Sequence, residues 1–147
     1  MKKQQAGRRY APVGLAHYPH MLEADASLWD KYIRTNPLPE AKLIYDLHVG
    51  TPSPAITNLP PNYKKMVIAL STLRIDVVAL MTTETIVIEV KPYAGPYAIG
   101  QVWSYTQLLM RDMPQLPNPV PMILTDKAAA DTQWLCERLK VLLIELK

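Results

Sequence analysis

The chain has 147 residues, of which 49% are hydrophobic and 20% charged, and its formal net charge is +3. These values are typical of a folded chain of one-domain size rather than a disordered one. Its apolar stretches are too short to span a membrane or to act as a signal peptide. The single cysteine, Cys136, excludes an intrachain disulfide and a cysteine-based metal cluster. The absence of a disulfide favours a cytoplasmic setting.

The chain begins with a basic segment, and we predict an irregular basic arm over residues 1–20 and a single domain over residues 21–147. The first predicted helix covers residues 21–34, where apolar residues recur at spacings of three and four. Pro37 disfavours the helical conformation at Asn36, so the helix is expected to end there.

Residues 42–49 alternate in the manner of a strand, and a long proline-rich loop is predicted over residues 50–61. Two further β-rich runs cover residues 73–80 and 85–91. The polar residues 82–84 separate them, which predicts a hairpin.

Helices and strands alternate in the second half of the chain. We predict a helix over residues 97–110, a strand over 119–125, a helix over 127–139 with Asp126 as its N-cap, and a strand over 140–146. The order α-β-β-β-α-β-α-β favours an α/β fold with a mixed central sheet flanked by helices.

Three charged residues interrupt the apolar hairpin strands. Asp76 lies on the first strand, and Glu89 and Lys91 lie on the second. Because side chains alternate along a strand, Glu89 and Lys91 should share a face, and a short turn would bring Asp76 beside Glu89. An isolated Glu-x-Lys is usually a solvated surface pair, but the apolar surroundings argue against that interpretation here.

Buried carboxylates are costly unless they are paired or bound to a cation. We therefore predict a Mg²⁺ or Mn²⁺ site in which Asp76, Glu89 and the carbonyl of Val90 supply oxygen ligands. Such a metal would polarise a phosphate and activate a water molecule, and Lys91 would orient that water or stabilise charge in the transition state.

Asp76 followed by Glu89-Val90-Lys91 resembles the D…(D/E)-x-K signature of the PD-(D/E)XK nuclease superfamily, although Ile75 stands at the position of the proline. Gln101 and Tyr105 resemble the Gln-x-x-x-Tyr motif of the lambda-exonuclease and RecB-type branch. The resemblance covers residues 21–125. It implies a restriction-endonuclease-like α-β-β-β-α-β core and Mg²⁺-dependent hydrolysis of DNA.

Three more residues acquire expected roles from this resemblance. Glu23 resembles the acidic residue with which many members hold metal-bound water from the first helix, with Asp25 as the alternative; both would also suit the first turn of a helix because of its dipole. Gln101 and Tyr105 share a helix face, so Gln101 is expected to reach Lys91 or a phosphate and Tyr105 to brace the site. The alternatives are an exposed glutamine and a core tyrosine.

The positive net charge and the sequence pI of about 9.0 fit a polyanionic partner. The three histidines show no metal-binding spacing and are interpreted as ordinary residues. The candidate phosphate contacts are Arg8, Arg9, Lys64, Lys65 and Arg74.

The sequence thus predicts a metal-dependent DNA nuclease that has no membrane contact. One alternative is a catalytically silent DNA-binding or assembly protein on the same scaffold, and another is a dimeric Holliday-junction resolvase. Because a small unrestricted nuclease would damage its host, we expect a protein partner, a homodimer, or a substrate that is branched, ended or single-stranded. A phage or mobile-element origin would fit the compact size.

Overall fold

The computed structural model describes residues 7–36 and 38–147. In these ranges the helices are α1 (Glu23–Thr35), α2 (Pro61–Ser71), α3 (Pro96–Asp112) and α4 (Ala130–Leu139), with a short 3-10 helix at Pro54–Asn58. The strands are β1 (Arg9–Tyr10), β2 (Lys42–Val49), β3 (Leu73–Leu80), β4 (Thr85–Val90), β5 (Tyr93–Ala94), β6 (Pro119–Thr125), β7 (Lys127–Ala128) and β8 (Leu142–Glu145).

Six strands form one mixed sheet in the order β1-β2-β3-β4-β6-β8. The pairs from β1 to β4 are antiparallel, whereas β4 pairs with β6, and β6 with β8, in parallel. A separate pair, β5 and β7, is parallel. The predicted mixed α/β class with a mixed sheet is therefore confirmed. No helix in the described ranges is long and apolar enough to cross a membrane.

Two hydrophobic clusters cover the two faces of the sheet. On one face Leu28, Trp29 and Ile33 of α1 pack against strand residues that include Val90. On the other face α3 and Cys136 of α4 complete the second cluster. The central strands are thus covered on both sides, which explains why β4 is almost wholly apolar.

The side-chain alternation of β2 and β3 breaks at one point. Tyr45 and Val77 pair across the two strands and belong to the α1-side cluster. Leu47 and Ile75, the next pair in the ladder, belong to the α3-side cluster. Regular strands would keep residues two apart on the same face, so both strands change face between these pairs. Asp46, the intervening residue on β2, has a left-handed φ of 53° that accounts for the change in its strand.

The predicted loop over residues 50–61 needs correction, because the chain forms a 3-10 helix there and then α2. Proline in the first turn is compatible with both helices, since it lacks only an N–H that would have no helical partner. No residue of α2 is buried. Its apolar residues form the continuous run 66–70, and such a run does not distinguish a helix from a strand.

Two other expectations differ from the structure. Residues 1–6 of the predicted arm lie outside the described ranges. Within the rest of the predicted arm, β1 pairs with β2 and Tyr18 is only 4% exposed. This part of the arm therefore packs on the sheet. Asp126 is not an N-cap: α4 begins at Ala130 after Ala129, because residues 127–128 form β7.

Candidate active site

Asp76 lies where β3 and β4 separate. The antiparallel ladder between these strands ends at the pair Val77 and Ile88, and the next opposing positions would be Asp76 and Glu89. Instead of continuing the ladder, Asp76 accepts a hydrogen bond at Oδ2 from the backbone N–H of Val90, over 2.9 Å. This bond fixes the Asp76 carboxylate beside the C-terminal end of β4.

Glu89 lies at that end of β4, and Lys91 is the residue that follows the strand. Ile88 and Val90 face α1, so alternation directs Glu89 and Lys91 to the α3 side. Glu89 is 5% exposed, and its Oε1 lies 3.8 Å from Nζ of Lys91. This distance is longer than a hydrogen bond, so the ammonium offers only charge attraction to the buried carboxylate.

The pKa values of both carboxyls are raised above their ordinary values. Burial raises the pKa of Asp76 to about 6, and the negative charges of Asp25 and Asp46 add to the rise. Burial also raises the pKa of Glu89 to about 8, with the Asp76 charge as the next cause, while Lys91 lowers it. Two acids that repel each other in a low-dielectric setting need a cation before both can be ionised near neutral pH.

Helix α3 packs on the face of the sheet toward which Glu89 points. Gln101 donates from Nε2 to the Tyr105 hydroxyl at 3.3 Å. Burial raises the pKa of the Tyr105 hydroxyl, and the charges of Glu89 and Asp76 act in the same direction. Oε1 of Gln101 is buried without a hydrogen-bond donor among the described residues, so an acceptor is left for a water molecule or ligand.

The first helix contributes Asp25 rather than Glu23 to this neighbourhood. Burial raises the pKa of the Asp25 carboxyl, and the Lys91 charge lowers it. Its own charge acts on Asp76 and Glu89. Glu23 is exposed and lines a different surface hollow, which also includes Leu15. The structure therefore favours Asp25 over Glu23 as the acid that α1 contributes. Asp25 precedes the buried Leu28 by three residues and the buried Trp29 by four, so it shares their helix face.

A second cluster adjoins Asp76 and was not anticipated. The register of β2 and β3 sets Asp46 opposite Asp76 at the position where their ladder is interrupted, and three basic side chains surround the Asp46 carboxylate. Their nitrogens lie 3.4 Å (His20), 3.5 Å (His48) and 3.6 Å (Arg74) from its oxygens. The sequence signal was weak, because a polar residue within an alternating strand usually faces solvent.

His48 has a fixed orientation in this cluster. The Thr72 hydroxyl donates to the carbonyl of Ile68 at 2.6 Å, so it accepts from the Nδ1–H of His48 at 2.8 Å. Nε2 of His48 is consequently the nitrogen that faces Asp46. The side chains of His48 and Arg74 are 29% and 42% exposed, which leaves them accessible to an anion.

The other candidate phosphate contacts have no such link to the carboxylates. Arg8 lies 4.9 Å from the ring centroid of Tyr10 in a cation–π contact, and Arg9 begins β1. Lys64 and Lys65 lie on α2. Among the predicted phosphate contacts, Arg74 is the one that lies next to the candidate site, because its guanidinium is beside Asp46 and Asp46 is opposite Asp76.

The donor set fits a hard divalent cation. Asp76, Glu89 and the Val90 carbonyl are the candidate oxygen ligands. Within residues 7–36 and 38–147, no three His, Cys, Asp or Glu side chains converge closely enough to hold a metal ion by themselves. Two carboxylates are nevertheless sufficient for Mg²⁺, which usually retains several water ligands.

Comparison with known proteins adds no relative. The sequence matches no protein-family model, and neither the curated proteins nor the solved structures gave a significant match.

Proposed function

We propose that this protein is a metal-dependent deoxyribonuclease that hydrolyses phosphodiester bonds, with Mg²⁺ or Mn²⁺ held by Asp76, Glu89 and the carbonyl of Val90. One observation carries the proposal: two carboxylates that repel each other lie at a break in the sheet, and Lys91 is the ammonium beside them. A purely structural sheet gains nothing from such an arrangement, since buried unpaired acids destabilise a fold.

Each residue has a separate task in this proposal. The Val90 amide holds the Asp76 carboxylate in one orientation, so little conformational entropy is lost when a cation binds. A bound divalent cation supplies Lewis acidity toward the scissile phosphate and lowers the pKa of water. Lys91, whose side chain is 37% exposed, reaches the phosphate and stabilises the negative charge that develops during attack.

Residues outside the carboxylate pair complete the proposed site. The free Oε1 of Gln101 accepts a hydrogen bond from the attacking water, and Tyr105 holds the amide of Gln101 in place. Asp25 would hold a water molecule of the cation from the α1 side. Arg74 supplies positive charge toward a neighbouring phosphate of the DNA backbone.

The order of elements supports a restriction-endonuclease-like core as part of this proposal. α1, β2, β3, β4, α3 and β6 follow the α-β-β-β-α-β order, with α2 inserted between β2 and β3. The antiparallel β2-β3-β4 unit followed by a parallel β6 also agrees with it. The resemblance of the D…(D/E)-x-K and Gln-x-x-x-Tyr residues points the same way.

The decisive experiment compares cleavage by the wild type, Lys91→Ala and Lys31→Ala. Linear, circular, single-stranded and branched DNA are each incubated with Mg²⁺, Mn²⁺ or EDTA. Lys91→Ala should lose roughly 10²–10³-fold in cleavage rate, because one electrostatic contact to the transition state is removed. Its melting temperature and its DNA affinity should stay close to those of the wild type. Lys31 is exposed on α1 and serves as the matched control, which should cut normally.

Glu89→Gln separates the role of the metal from that of the ammonium. This variant should also be inactive, and excess Mn²⁺ should restore part of its activity but none of that of Lys91→Ala. Equal rates for the wild type and Lys91→Ala would place the active centre elsewhere. A wild type that binds DNA but cuts no form of it with either metal would favour the silent DNA-binding or assembly protein.

A further inference from the structure

Two exposed tyrosines lie in the segment that joins Lys91 to the first turn of α3. Tyr93 is 61% exposed and follows Lys91 by two residues, and Tyr97 is 75% exposed in the first turn of α3. Tyr105, further along α3, is only 9% exposed. The arrangement is uncommon because aromatic rings bury a large apolar area when they can, and water-exposed rings beside a functional site provide a contact surface.

A helical stripe connects this surface with the carboxylates. Tyr97, Gln101 and Tyr105 are spaced by four residues and therefore lie on one face of α3. Burial and the charges of Glu89 and Asp76 raise the pKa of Tyr105, and Tyr97 is a further contributor to that rise. The stripe thus leads from the buried acids to solvent, with Tyr97 at its outer end.

The backbone under the two rings is held in place. Tyr93 pairs with Lys127, and Ala94 with the buried Ala128, in the small parallel sheet of β5 and β7. The carbonyl of Pro92 accepts hydrogen bonds from the amides of Asp126 and Lys127 at 3.1 and 3.2 Å and from the Thr125 hydroxyl at 3.1 Å. A rigid platform loses little entropy when a planar ligand stacks on it.

The charged residues beside Tyr93 favour a nucleobase rather than a phosphate as the ligand of the two tyrosines. Lys127 is exposed opposite Tyr93, but the exposed Asp126 precedes it and offsets its charge. Neither Tyr93 nor Tyr97 packs against another aromatic ring among the described residues, so both rings are open to a partner. An unpaired nucleobase presents the flat π-surface that suits such rings, whereas the stacked bases of a duplex do not.

We propose that Tyr93 and Tyr97 form a stacking platform for an unpaired nucleobase, so that the substrate is single-stranded DNA or a DNA end or branch with unpaired bases. This inference rests on the proposed nuclease function, and it identifies the class of DNA which that site receives. The backbone of the stacked nucleotide then runs toward Lys91, two residues from Tyr93, where the scissile phosphate would lie.

The test measures DNA binding in EDTA, where cleavage does not occur. The probes are a fluorescein-labelled single-stranded deoxyoligonucleotide and a blunt hairpin duplex of the same sequence. Tyr97→Ala should weaken single-strand binding by roughly five- to hundredfold, the range for loss of one stacked base, and should leave duplex binding unchanged. Tyr97→Phe keeps the ring and should bind as the wild type does. Because stacking is not an ionic contact, the salt dependence of single-strand binding should also be the same in Tyr97→Ala.

Two controls make the result specific. Trp134 on α4 is 58% exposed and packs near Arg138, and Trp134→Ala should bind both probes normally. A single strand that carries 2-aminopurine should lose fluorescence on binding to the wild type and to Tyr97→Phe, and retain more of it with Tyr97→Ala. Circular dichroism melting confirms that each variant is folded.

The outcomes separate this inference from the proposed function. If the wild type cleaves DNA but Tyr97→Ala and Tyr93→Ala both bind single strands normally, the platform is refuted and the nuclease proposal remains. An equal loss of single-strand and duplex binding would also refute the platform. If Tyr97→Ala loses only single-strand binding and no metal supports cleavage by the wild type, the platform stands as a binding site and the nuclease proposal fails.

Discussion

Asp46 lies opposite Asp76 across β2 and β3, at the point where both strands change face, and its charge contributes to the raised pKa of Asp76. Burial is the main cause of that rise, and the Asp46 charge acts in the same direction. Asp46 is itself surrounded by His20, His48 and Arg74, so it connects the carboxylate pair with a group of basic side chains. The pKa of Asp76 therefore depends on Asp46, a residue outside the D…(D/E)-x-K motif that first indicated the carboxylate pair.

Removal of the Asp46 charge should make Asp76 easier to ionise. Asp46→Asn retains the side-chain shape and tolerates a left-handed φ, so the backbone should stay in place. The pKa of Asp76 should fall, because one negative neighbour is lost and the charge of Arg74 is no longer offset. Carboxyl ¹³C NMR titration of both proteins measures the difference. An unchanged pKa of Asp76 would mean that the Asp46 charge is screened from it.

The left-handed backbone at Asp46 should make this position sensitive to residue type. Asp46→Ala places a non-polar residue at φ 53° and should lower the free energy of unfolding by about 1 kcal/mol relative to Asp46→Asn. Asp46→Gly is the control, since glycine adopts this conformation without steric cost. Urea unfolding monitored by circular dichroism gives the three values. Equal stability of the alanine and glycine variants would indicate that the strand relaxes to a regular conformation.

Without a divalent cation, the protein should become less stable as the pH rises. Asp76 and Glu89 have folded-state pKa values of about 6 and about 8, above their ordinary values of 3.8 and 4.5. Both carboxyls are protonated in the folded and unfolded states below about pH 4, so stability is highest there with respect to these two groups. The loss begins near these ordinary values and is complete near pH 6 for Asp76 and near pH 8 for Glu89, with a slope of at most about 1.4 kcal/mol per pH unit for each carboxyl.

Thermal or urea unfolding in EDTA between pH 4 and pH 9 measures this slope. Glu89→Gln should remove the upper part of the decline and should be more stable than the wild type at pH 8. Glu23→Gln changes an exposed acid and should follow the wild-type curve. Saturating Mg²⁺ should raise stability most at high pH, because a cation binds the ionised pair. A wild-type curve that does not decline in EDTA would contradict the burial of two repelling carboxyls.

Binding of Mn²⁺ should depend on Asp76 and Glu89 and should release protons. At pH 7 the raised pKa of Glu89 keeps much of that group protonated, so a cation must displace the proton. Isothermal titration calorimetry in buffers of different ionisation enthalpy measures the released fraction. Asp76→Asn should weaken binding strongly, Asp25→Asn modestly, and Glu23→Gln hardly at all. Wild-type affinity in Asp76→Asn, or a larger loss in Glu23→Gln than in Asp25→Asn, would contradict the ligand assignment.

The strands of the candidate site were predictable because their signals are local. β-rich apolar runs identified β3 and β4, the polar residues 82–84 marked the turn between them, and the hairpin then brought Asp76 near Glu89. Gln101 and Tyr105 were singled out by the Gln-x-x-x-Tyr resemblance, and helical spacing predicted that they share a face. In each case a period of two or about four residues determined which side chains share a face.

The features that were missed depend on tertiary contacts. The left-handed conformation of Asp46 occurs within a strand and in a residue type that does not require it, so no residue pattern reveals it. Asp25 and Glu23 are two residues apart on α1, and the docking angle of that helix decides which of them approaches Lys91. No residue of helix α2 is buried, and its continuous apolar run 66–70 does not distinguish a helix from a strand.

The connections between the strands also suggest when the site forms during folding. Asp76 and Glu89 are brought together by a hairpin with a four-residue turn, whereas the parallel pairing of Glu89 with Ile123 must enclose all of α3. Closing the shorter loop costs less entropy, so we expect the hairpin to form first, while both carboxyls are still hydrated. The two carboxyls then become buried, and repel each other strongly, only when α3 docks late in folding. A divalent cation that relieves this repulsion would act mainly on the native side of the folding barrier, and it would slow unfolding far more than it would speed folding.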